Sequence, residues 1–170
     1  PLNNTMDQIL ISQSIRKILA QPDPDAYPTD DVDDAASNVY VSRYSGDYAL
    51  GSVRVFYASP LDKQYTAFTA EFTGLTYSFF NSVDISITAA EMTLQTEGSL
   101  YYMDVPIRAQ YTGAVYVMPA GSITAFVNDT DAVSVTNILA TSNGVDSETN
   151  TQLLTRAQNS IGGYLRHNDD

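Results

Sequence analysis

Short segments in which apolar and polar residues alternate follow one another from residue 38 to residue 136, separated by turns rich in glycine, proline and asparagine. In Ser52–Ala58, for example, Val53 and Val55 fall on one face and Arg54 on the other. This period of two is typical of β-strands that are buried on one side. About eight to ten short strands at this spacing predict a mainly β fold, either an antiparallel sandwich or a strongly bent sheet. The strand candidates are Asn38–Tyr44, Ser52–Ala58, Gln64–Phe72, Leu75–Phe80, Val83–Thr88, Ser99–Val105, Ile107–Tyr111, Ala114–Val117, Ser122–Val127 and Val133–Thr136.

Two features of this β-rich segment remain ambiguous in the sequence. Pro106 separates two strand candidates, and proline is expected to break a strand or to mark a sheet edge. The stretch 89–96 fits either a strand or a single helical turn.

An N-terminal helix is predicted over residues 4–20. Thr5 and Gln8 have the spacing of a capping box at its start, and Pro22 follows its end. Apolar residues recur along one face at helical spacing. Either this face packs on its own domain, or it belongs to the tail of a longer helix that contacts another subunit. The residues of this interface-helix candidate are Ile11, Ile15, Ile18 and Leu19.

Residues 21–37 have the composition of a linker, with three prolines, six aspartates and few apolar residues. Such a segment is expected to stay a solvated acidic loop, a hinge or a docking strip for a basic partner. Clustered aspartates are also found in calcium sites. However, the glycine and the terminal glutamate of an EF-hand loop are missing here.

The composition excludes several classes of function. There is no cysteine, and the single histidine, His167, lies in the polar C-terminal tail. Thiolate metal sites, cysteine nucleophiles and Ser-His-Asp triads are therefore not expected, and no nucleotide-binding glycine motif occurs. Eight basic and twenty acidic residues give a formal charge of −12, which disfavours nucleic acid and anionic membranes as partners. No catalytic, metal or cofactor site is predicted.

Targeting signals are also absent from the sequence as read. No apolar run approaches the roughly 20 residues of a membrane span, and no signal peptide is visible. The chain opens on Pro1, as expected of a processed form or of an excerpt from a longer protein.

The most sharply punctuated stretch leads from a strand through a polar turn into a second helix. Asn143-Gly144 in the turn readily adopts positive φ. Thr149 and Gln152 have the spacing of a capping box, so a helix is predicted from about Asn150. It is expected to run to Ile161 and to end at Gly162-Gly163, followed by a tail.

Two pairs of acids, Asp146 with Glu148 and Asp84 with Glu91, invite comparison with catalytic carboxylates. Asp146 and Glu148 have a sufficient structural role, however, because acids are favoured just before a helix N-terminus. They are therefore interpreted as residues that fix the joint between strand and helix.

A longer pattern runs through the same stretch: Asn137-x-x-Ala140-x-x-x-Gly144-x-Asp146-x-Glu148, then Leu154-x-Arg156 on the helix. It is preceded by Ala109-x-x-x-Gly113-x-x-x-Val117-x-x-x-Gly121-x-Ile123. Together these patterns resemble the baseplate J-like family. The resemblance extends over residues 48–160 and is most specific in 109–156. Where the family usually has a glycine pair, this chain has Asn143-Gly144, and asparagine tolerates positive φ.

This resemblance implies a non-enzymatic wedge protein in the baseplate of a contractile phage tail or a related contractile injection system. Family members join a second copy and other wedge proteins, and the wedges close into a six-fold ring around the central hub. The expected location is the tail baseplate of a virion assembled in the bacterial host cytoplasm. Arg156 is a candidate partner for one of the two acids. The residues carried over as structural are Asn137, Gly144, Asp146, Glu148 and Arg156.

The predicted organisation has an N-terminal helix over 1–20, an acidic linker over 21–37 and a β-rich middle domain over 38–148. A C-terminal helix and tail over 149–170 lead to the next module. An alternative function is a carbohydrate-binding or adhesin-type β-sandwich. It stays open because tyrosines spread over the strands suit a sugar-binding groove as well as sheet packing.

Overall fold

The computed structural model describes residues 2–96 and 98–167. The chain divides into two compact units. Unit 1 combines Pro1–Ser45 with Ser147–Asp170, and unit 2 is the continuous segment Gly46–Asp146.

Unit 2 is built from antiparallel strands, nine of them in the described part of the chain. Short turns and two single turns of 3₁₀-helix connect them. The strands are β1 (Tyr48–Tyr57), β2 (Lys63–Tyr65), β3 (Glu71–Gly74), β4 (Tyr77–Asn81), β5 (Ile85–Ile87), β6 (Thr93–Leu94), β7 (Tyr101–Thr112), β8 (Ala125–Phe126) and β9 (Ala132–Thr136).

Seven of these strands form one curled sheet in the order β8-β3-β4-β7-β1-β9, with β6 also paired to β7. The two ends of this order, β8 and β9, lie beside each other, so the sheet is a nearly closed barrel. A second, two-stranded sheet pairs β2 with β5. The mainly β antiparallel prediction is confirmed, and of its two forms the strongly bent sheet is the better description.

The alternation read from the sequence decides which side chains fill the barrel. In β7, Met103, Val105 and Ile107 point inward and are buried, whereas Asp104 and Pro106 lie on the outer face. Burial of a large apolar side chain contributes about 1.5–3 kcal/mol, so these three side chains together contribute several kcal/mol to the stability of the barrel. The buried residues of unit 2 are Ala49, Val53, Val55, Tyr57, Ala70, Phe72, Phe79, Met92, Met103, Val105, Ile107, Ala109, Tyr116, Met118, Ile123 and Val135.

Pro106 does not break a strand or mark an edge, which corrects the sequence-based expectation. It lies inside β7 opposite Ser52, and its carbonyl accepts a hydrogen bond from Ser82. Because β4 has already ended at Asn81, the missing N–H of Pro106 leaves no partner in β4 unsatisfied. The two predicted strands on either side of Pro106 are therefore one.

Three other strand predictions need correction. Ala114–Tyr116 is a turn of 3₁₀-helix, and Gln64–Phe72 is divided between β2 and β3. Residues 38–44 form no strand, because Val39 and Val41 pack into the helical core of unit 1 instead of pairing with a strand.

Unit 1 consists of three α-helices and a turn of 3₁₀-helix at Pro24–Ala26. The helices are α1 (Leu2–Leu19), α2 (Thr29–Ser37) and α3 (Asn150–His167). Their apolar faces meet in a small core of Ile15, Val32, Ala36, Val41, Leu153, Leu154 and Ala157.

The acidic segment 21–37 is not the unstructured linker that its composition predicted. Val32 and Ala36, one helical turn apart, are both fully buried, so a single apolar stripe is enough to hold α2. Asp25 accepts a hydrogen bond from the Thr151 amide at the start of α3. In this segment, prolines therefore lie at the N-termini of helices and acidic side chains cap helix ends.

Both outer helices are longer than predicted. The backbone of α1 is helical from Leu2, so Thr5 lies inside the helix and does not cap it. The α3 backbone continues through Gly162-Gly163, since each glycine costs a helix only about 1 kcal/mol. The side chains of Thr5, Gln8, Ile161 and His167 lie outside the described part of the structure. In the ranges described, no helix has the length and apolar character to cross a bilayer.

Candidate functional site

Asn137 follows β9 in unit 2 and holds together the loops at the end of that strand. Its side chain is buried, accepts a hydrogen bond from the Ile123 amide at 2.9 Å, and donates to the carbonyls of Pro119 and Leu139. Each polar atom of the amide group thus has a partner, as a buried amide requires. The sequence prediction of a structural Asn137 agrees with this geometry.

The polar turn after Asn137 depends on the backbones of Asn143 and Gly144. Asn143 has φ +69°, the left-handed region that asparagine tolerates. A Cβ at Gly144 would lie 2.5 Å from the Gly113 carbonyl oxygen, so only glycine allows the two backbones to approach so closely. The Asp146 carboxylate then accepts a hydrogen bond from the Ala114 amide at 2.9 Å.

Glu148 and Arg156 form a bidentate ion pair in unit 1. Arg156 donates from Nε to Oε1 at 3.0 Å and from Nη2 to Oε2 at 2.6 Å, and its guanidinium lies 4.2 Å from the centre of the Tyr44 ring. The Glu148 side chain is only 8% exposed. Hydrogen bonds from Arg156 lower the pKa of the Glu148 carboxyl, although partial burial acts in the opposite direction. The same pair raises the pKa of Arg156.

Thr149 and Gln152 form the reciprocal pair of a capping box at the start of α3. The Thr149 amide donates to the Gln152 side chain at 2.9 Å, and the Gln152 amide donates to the Thr149 hydroxyl at 3.3 Å. Two otherwise unpaired backbone donors are thereby satisfied.

Arg43 organises the same region of unit 1, and no sequence pattern indicated this role. It donates to the Glu148 carbonyl at 2.5 Å and to the Asn150 side chain at 2.7 Å, and it forms an ion pair with Asp33. Glu148 and Asn150 are more than 100 positions away in the sequence, so only the folded chain reveals the role.

The interface-helix candidate on α1 is largely a core element. Ile15 is fully buried, and Ile11, Ile18 and Leu19 pack against the helical core of unit 1. Of the two alternatives, packing within unit 1 agrees with this burial, and contact of the same face with another subunit stays a prediction. The exposed apolar residues of α1 are Met6, Ile9 and Leu10, which lie elsewhere on the helix.

The other acids singled out in the sequence serve the local backbone. Asp84 accepts a hydrogen bond from the Ala67 amide at 2.7 Å, and Glu91 caps the 3₁₀ turn by binding Thr88. Within residues 2–96 and 98–167, no cluster of three or more histidine and acidic side chains is placed to hold a metal ion.

A buried charged network in unit 2 was also missed by the sequence reasoning. The Asp129 carboxylate accepts hydrogen bonds from Tyr57, Tyr65 and Lys63, and Lys63 also pairs with Asp131. Burial alone would raise the pKa of Asp129, but the hydrogen bonds from Tyr65 and Lys63 outweigh it and lower that pKa. Burial raises the pKa of Tyr65 to about 12. The network ties the turn before β9 to β1 and β2.

Residues 66–144, which include strands β3 to β9, match the family model described as the baseplate J-like protein barrel domain. This part of the chain is therefore similar to a baseplate J-like barrel domain. The resemblance found in the sequence is thereby confirmed, and the matched residues form strands β3 to β9 of unit 2.

Among solved structures, the chain is similar to a chain in the cryo-electron microscopy structure of the anti-feeding prophage (AFP) baseplate, 6-fold symmetrised. The TM-score is 0.49 and the sequence identity is 11%. The alignment covers 72% of this chain, which spans 39% of that baseplate chain. A comparison with curated proteins finds no match.

The outer face of the curled sheet in unit 2 carries an arginine that has no hydrogen-bond partner among the described residues. Arg108 in β7 lies 4.3 Å from the centre of the Tyr48 ring and 4.4 Å from that of Phe68. Its Nε is buried and has no hydrogen-bond partner in the described part of the chain. The sequence offered no signal for this arrangement either, because its residues come from three separate segments.

Proposed function

We propose that this chain is a non-enzymatic structural part of a baseplate wedge in a contractile phage tail or a related contractile injection system. The observation that carries the proposal is the match of residues 66–144 to the baseplate J-like barrel domain. In this role the chain joins a second copy of itself and other wedge proteins in a six-fold ring around the central hub. It resides in the tail baseplate after assembly in the host cytoplasm.

The bonding of the acidic residues supports a structural role over catalysis. Asp84 and Asp146 accept hydrogen bonds from backbone amides, and Glu148 is ion-paired. A general acid would need a carboxyl whose pKa is raised towards neutrality. The pKa of Glu148 is instead lowered, chiefly by hydrogen bonds from Arg156.

The construction of unit 2 supports the role of a rigid part that transmits force between adjacent proteins of the baseplate. The long strand β7 pairs with β1, β4 and β6, so it ties most of the sheet together. The buried Asp129 network adds cross-links between the turn before β9 and the sheet. A barrel braced in this way resists deformation because its packed core has few alternative arrangements.

The test is deletion of the gene in a bacterium that produces the particle, followed by add-back of the wild-type chain. We expect deletion to abolish particles with complete baseplates, and add-back to restore them, as counted by cryo-electron microscopy. Complete baseplates in the deletion strain would overturn the proposal. Binding on a glycan array by a chain that is missing from tails would favour the carbohydrate-binding alternative.

A further inference from the structure

Among the described residues of unit 2, Arg108 differs from the other cations in having no anionic partner. Arg54 forms a two-point ion pair with Asp104, and Lys63 is paired with Asp129 and Asp131. Within the described residues, Arg108 donates no hydrogen bond and forms no ion pair. The charge of Arg108 is therefore not neutralised by any of the described acidic residues.

The rings that flank Arg108 are positioned by special backbone features. The register of β1 against β7 shifts between Tyr48 and Leu50, and such irregularities in a strand pair re-aim side chains. Phe68 has φ +62°, a left-handed conformation that is strained for a residue with a bulky side chain.

The strained conformation of Phe68 is held by a buried amide. Asn81 is fully buried, accepts hydrogen bonds from the Thr69 and Ala70 amides, and donates to the carbonyls of Thr66 and Val83. The Asn81 carbonyl also binds the Phe68 amide at 2.9 Å. The half-exposed Phe68 ring is therefore fixed beside Arg108 before any partner arrives.

Two concave surfaces of unit 2 meet beside these rings at Leu50. One, of about 430 Å³, is lined by Asp47, Tyr48, Leu50, Arg108 and Asn143. The other, of about 470 Å³, is mainly apolar and includes Leu50 together with Ile138 and Leu139. Leu139 is 76% exposed and Ile138 is 52% exposed, so apolar surface lies open next to the cation.

We propose that these two surfaces form one docking groove, which binds an extended segment of a partner protein. The segment presents a carboxylate side chain to Arg108 and an adjacent apolar side chain to Leu50, Ile138 and Leu139. Guanidinium groups bind carboxylates through charge-assisted hydrogen bonds, which strengthen where aromatic rings exclude water. Arginine and aromatic residues beside apolar surface are also the composition of binding hot spots.

The position of Asp47 favours a peptide segment over a small free carboxylate as the occupant. It lines the same cavity as Arg108 but is not ion-paired with it. A small dicarboxylate would bring a second negative charge near Asp47, whereas a peptide with one carboxylate for Arg108 also offers backbone N–H donors to Asp47. This inference does not depend on the baseplate function, because it stands on the contacts of unit 2 alone.

The test is selection of a random peptide library, displayed on phage, against the immobilised full chain. Because the chain has a formal charge of −12, acidic peptides are repelled in general, so their enrichment reports a local cationic site. We expect enriched peptides to carry an acidic residue next to an apolar one. Absence of enrichment, or enrichment of basic peptides only, would overturn the proposal.

Arg108→Met then locates the site, with a synthetic peptide of the enriched sequence as probe. We expect the affinity of the peptide to fall by about tenfold. Changing the acidic residue of the peptide to its amide should weaken binding to the wild-type chain equally, but should have no further effect on Arg108→Met. The control is Arg16→Met, an exposed arginine of unit 1, which removes the same charge and should change affinity by less than about twofold.

Phe68→Gly keeps the test decisive if Arg108→Met fails to fold. Glycine accepts φ +62° without strain, so this variant removes the ring while the backbone is preserved. We expect weaker peptide binding with an unchanged fold. If the enriched peptide and its amide form both bound Phe68→Gly as tightly as they bind the wild-type chain, the proposed groove would be contradicted. Equally tight binding of N-acetylglutamate alone would contradict the peptide as its occupant.

Discussion

Arg156 in unit 1 and Arg108 in unit 2 both pack against aromatic rings, at 4.2 Å from Tyr44 and at 4.3 Å from Tyr48 respectively. Their polar contacts differ. Arg156 donates two hydrogen bonds to Glu148 and one to the Ser42 carbonyl, whereas Arg108 has no partner in the described residues. Stacking on a ring is thus common to both, and only one of the two guanidinium groups is satisfied within its own unit.

This difference separates a residue that stabilises its unit from one that is free to bind. Removal of Arg156 leaves the Glu148 carboxylate, 8% exposed, without its countercharge. Removal of Arg108 leaves no unpaired charge behind. Matched substitutions at the two positions should therefore have unequal effects on stability and on binding.

Arg156→Met is expected to have the larger effect, destabilising unit 1 by about 2 kcal/mol. This value lies between the small contribution of a surface ion pair and the cost of breaking a fully buried one. Native-state hydrogen exchange at amides of α3 measures the local free energy of opening. The double variant Glu148→Gln with Arg156→Met should recover part of the loss, and a loss below about 0.5 kcal/mol would show that the pair contributes little.

The pH dependence of this variant sharpens the comparison. Arg156 lowers the pKa of Glu148 in the folded chain below its unfolded value, so the pair stabilises above the unfolded pKa. That stability is lost as the pH falls through the folded pKa. The free-energy difference between wild type and Arg156→Met should therefore be full at neutral pH and shrink below about pH 4. Exchange rates at α3 amides across this range test it, and a constant difference would contradict the ion-pair explanation.

The sequence predicted a partner for Arg156 but did not indicate the site at Arg108, and the reason is physical. Glu148 and Arg156 are eight positions apart on a joint whose capping box is a local pattern, so their meeting is decided by short-range geometry. The site around Arg108 depends instead on a register shift near Tyr48 and on the strained backbone of Phe68. Neither of these backbone features produces a periodic pattern in the sequence.

The same contrast explains which parts of the fold were predicted. Strand alternation placed most of the barrel correctly, because inward and outward faces follow from a period of two. The acidic segment 21–37 was wrongly predicted as a linker, since only Val32 and Ala36 on one face of α2 had to be buried. Composition averages over faces and therefore misses such a narrow stripe.

Arg108→Met should destabilise unit 2 by about 1 kcal/mol or less, the size of a partly exposed cation–π contact. No carboxylate is ion-paired with Arg108 in the described residues, so this difference should not shrink at acidic pH as it does for Arg156→Met. Hydrogen exchange at amides of β7 provides the measurement. A loss as large as that of Arg156→Met would mean that Arg108 has a structural partner, and would remove the distinction between the two arginines.

The smallest effect is expected at Phe68, where alanine and glycine form a matched pair. Both remove the half-exposed ring, but at φ +62° alanine keeps a backbone strain of about 1 kcal/mol that glycine relieves. We therefore expect Phe68→Gly to be as stable as Phe68→Ala or slightly more stable, despite the greater flexibility that glycine gives the unfolded chain. Thermal unfolding of the two variants measures the difference.

Val133 in β9 provides the control for this pair, since it is exposed and has no positive φ. There the usual order should hold, with Val133→Ala more stable than Val133→Gly by about 0.5–1 kcal/mol. If Phe68 also favours alanine by that amount, its loop is not held in the left-handed conformation. The Phe68 ring would then not be fixed beside Arg108. The two arginines would still differ in their polar contacts, but Arg108 would not be positioned in advance for a binding partner.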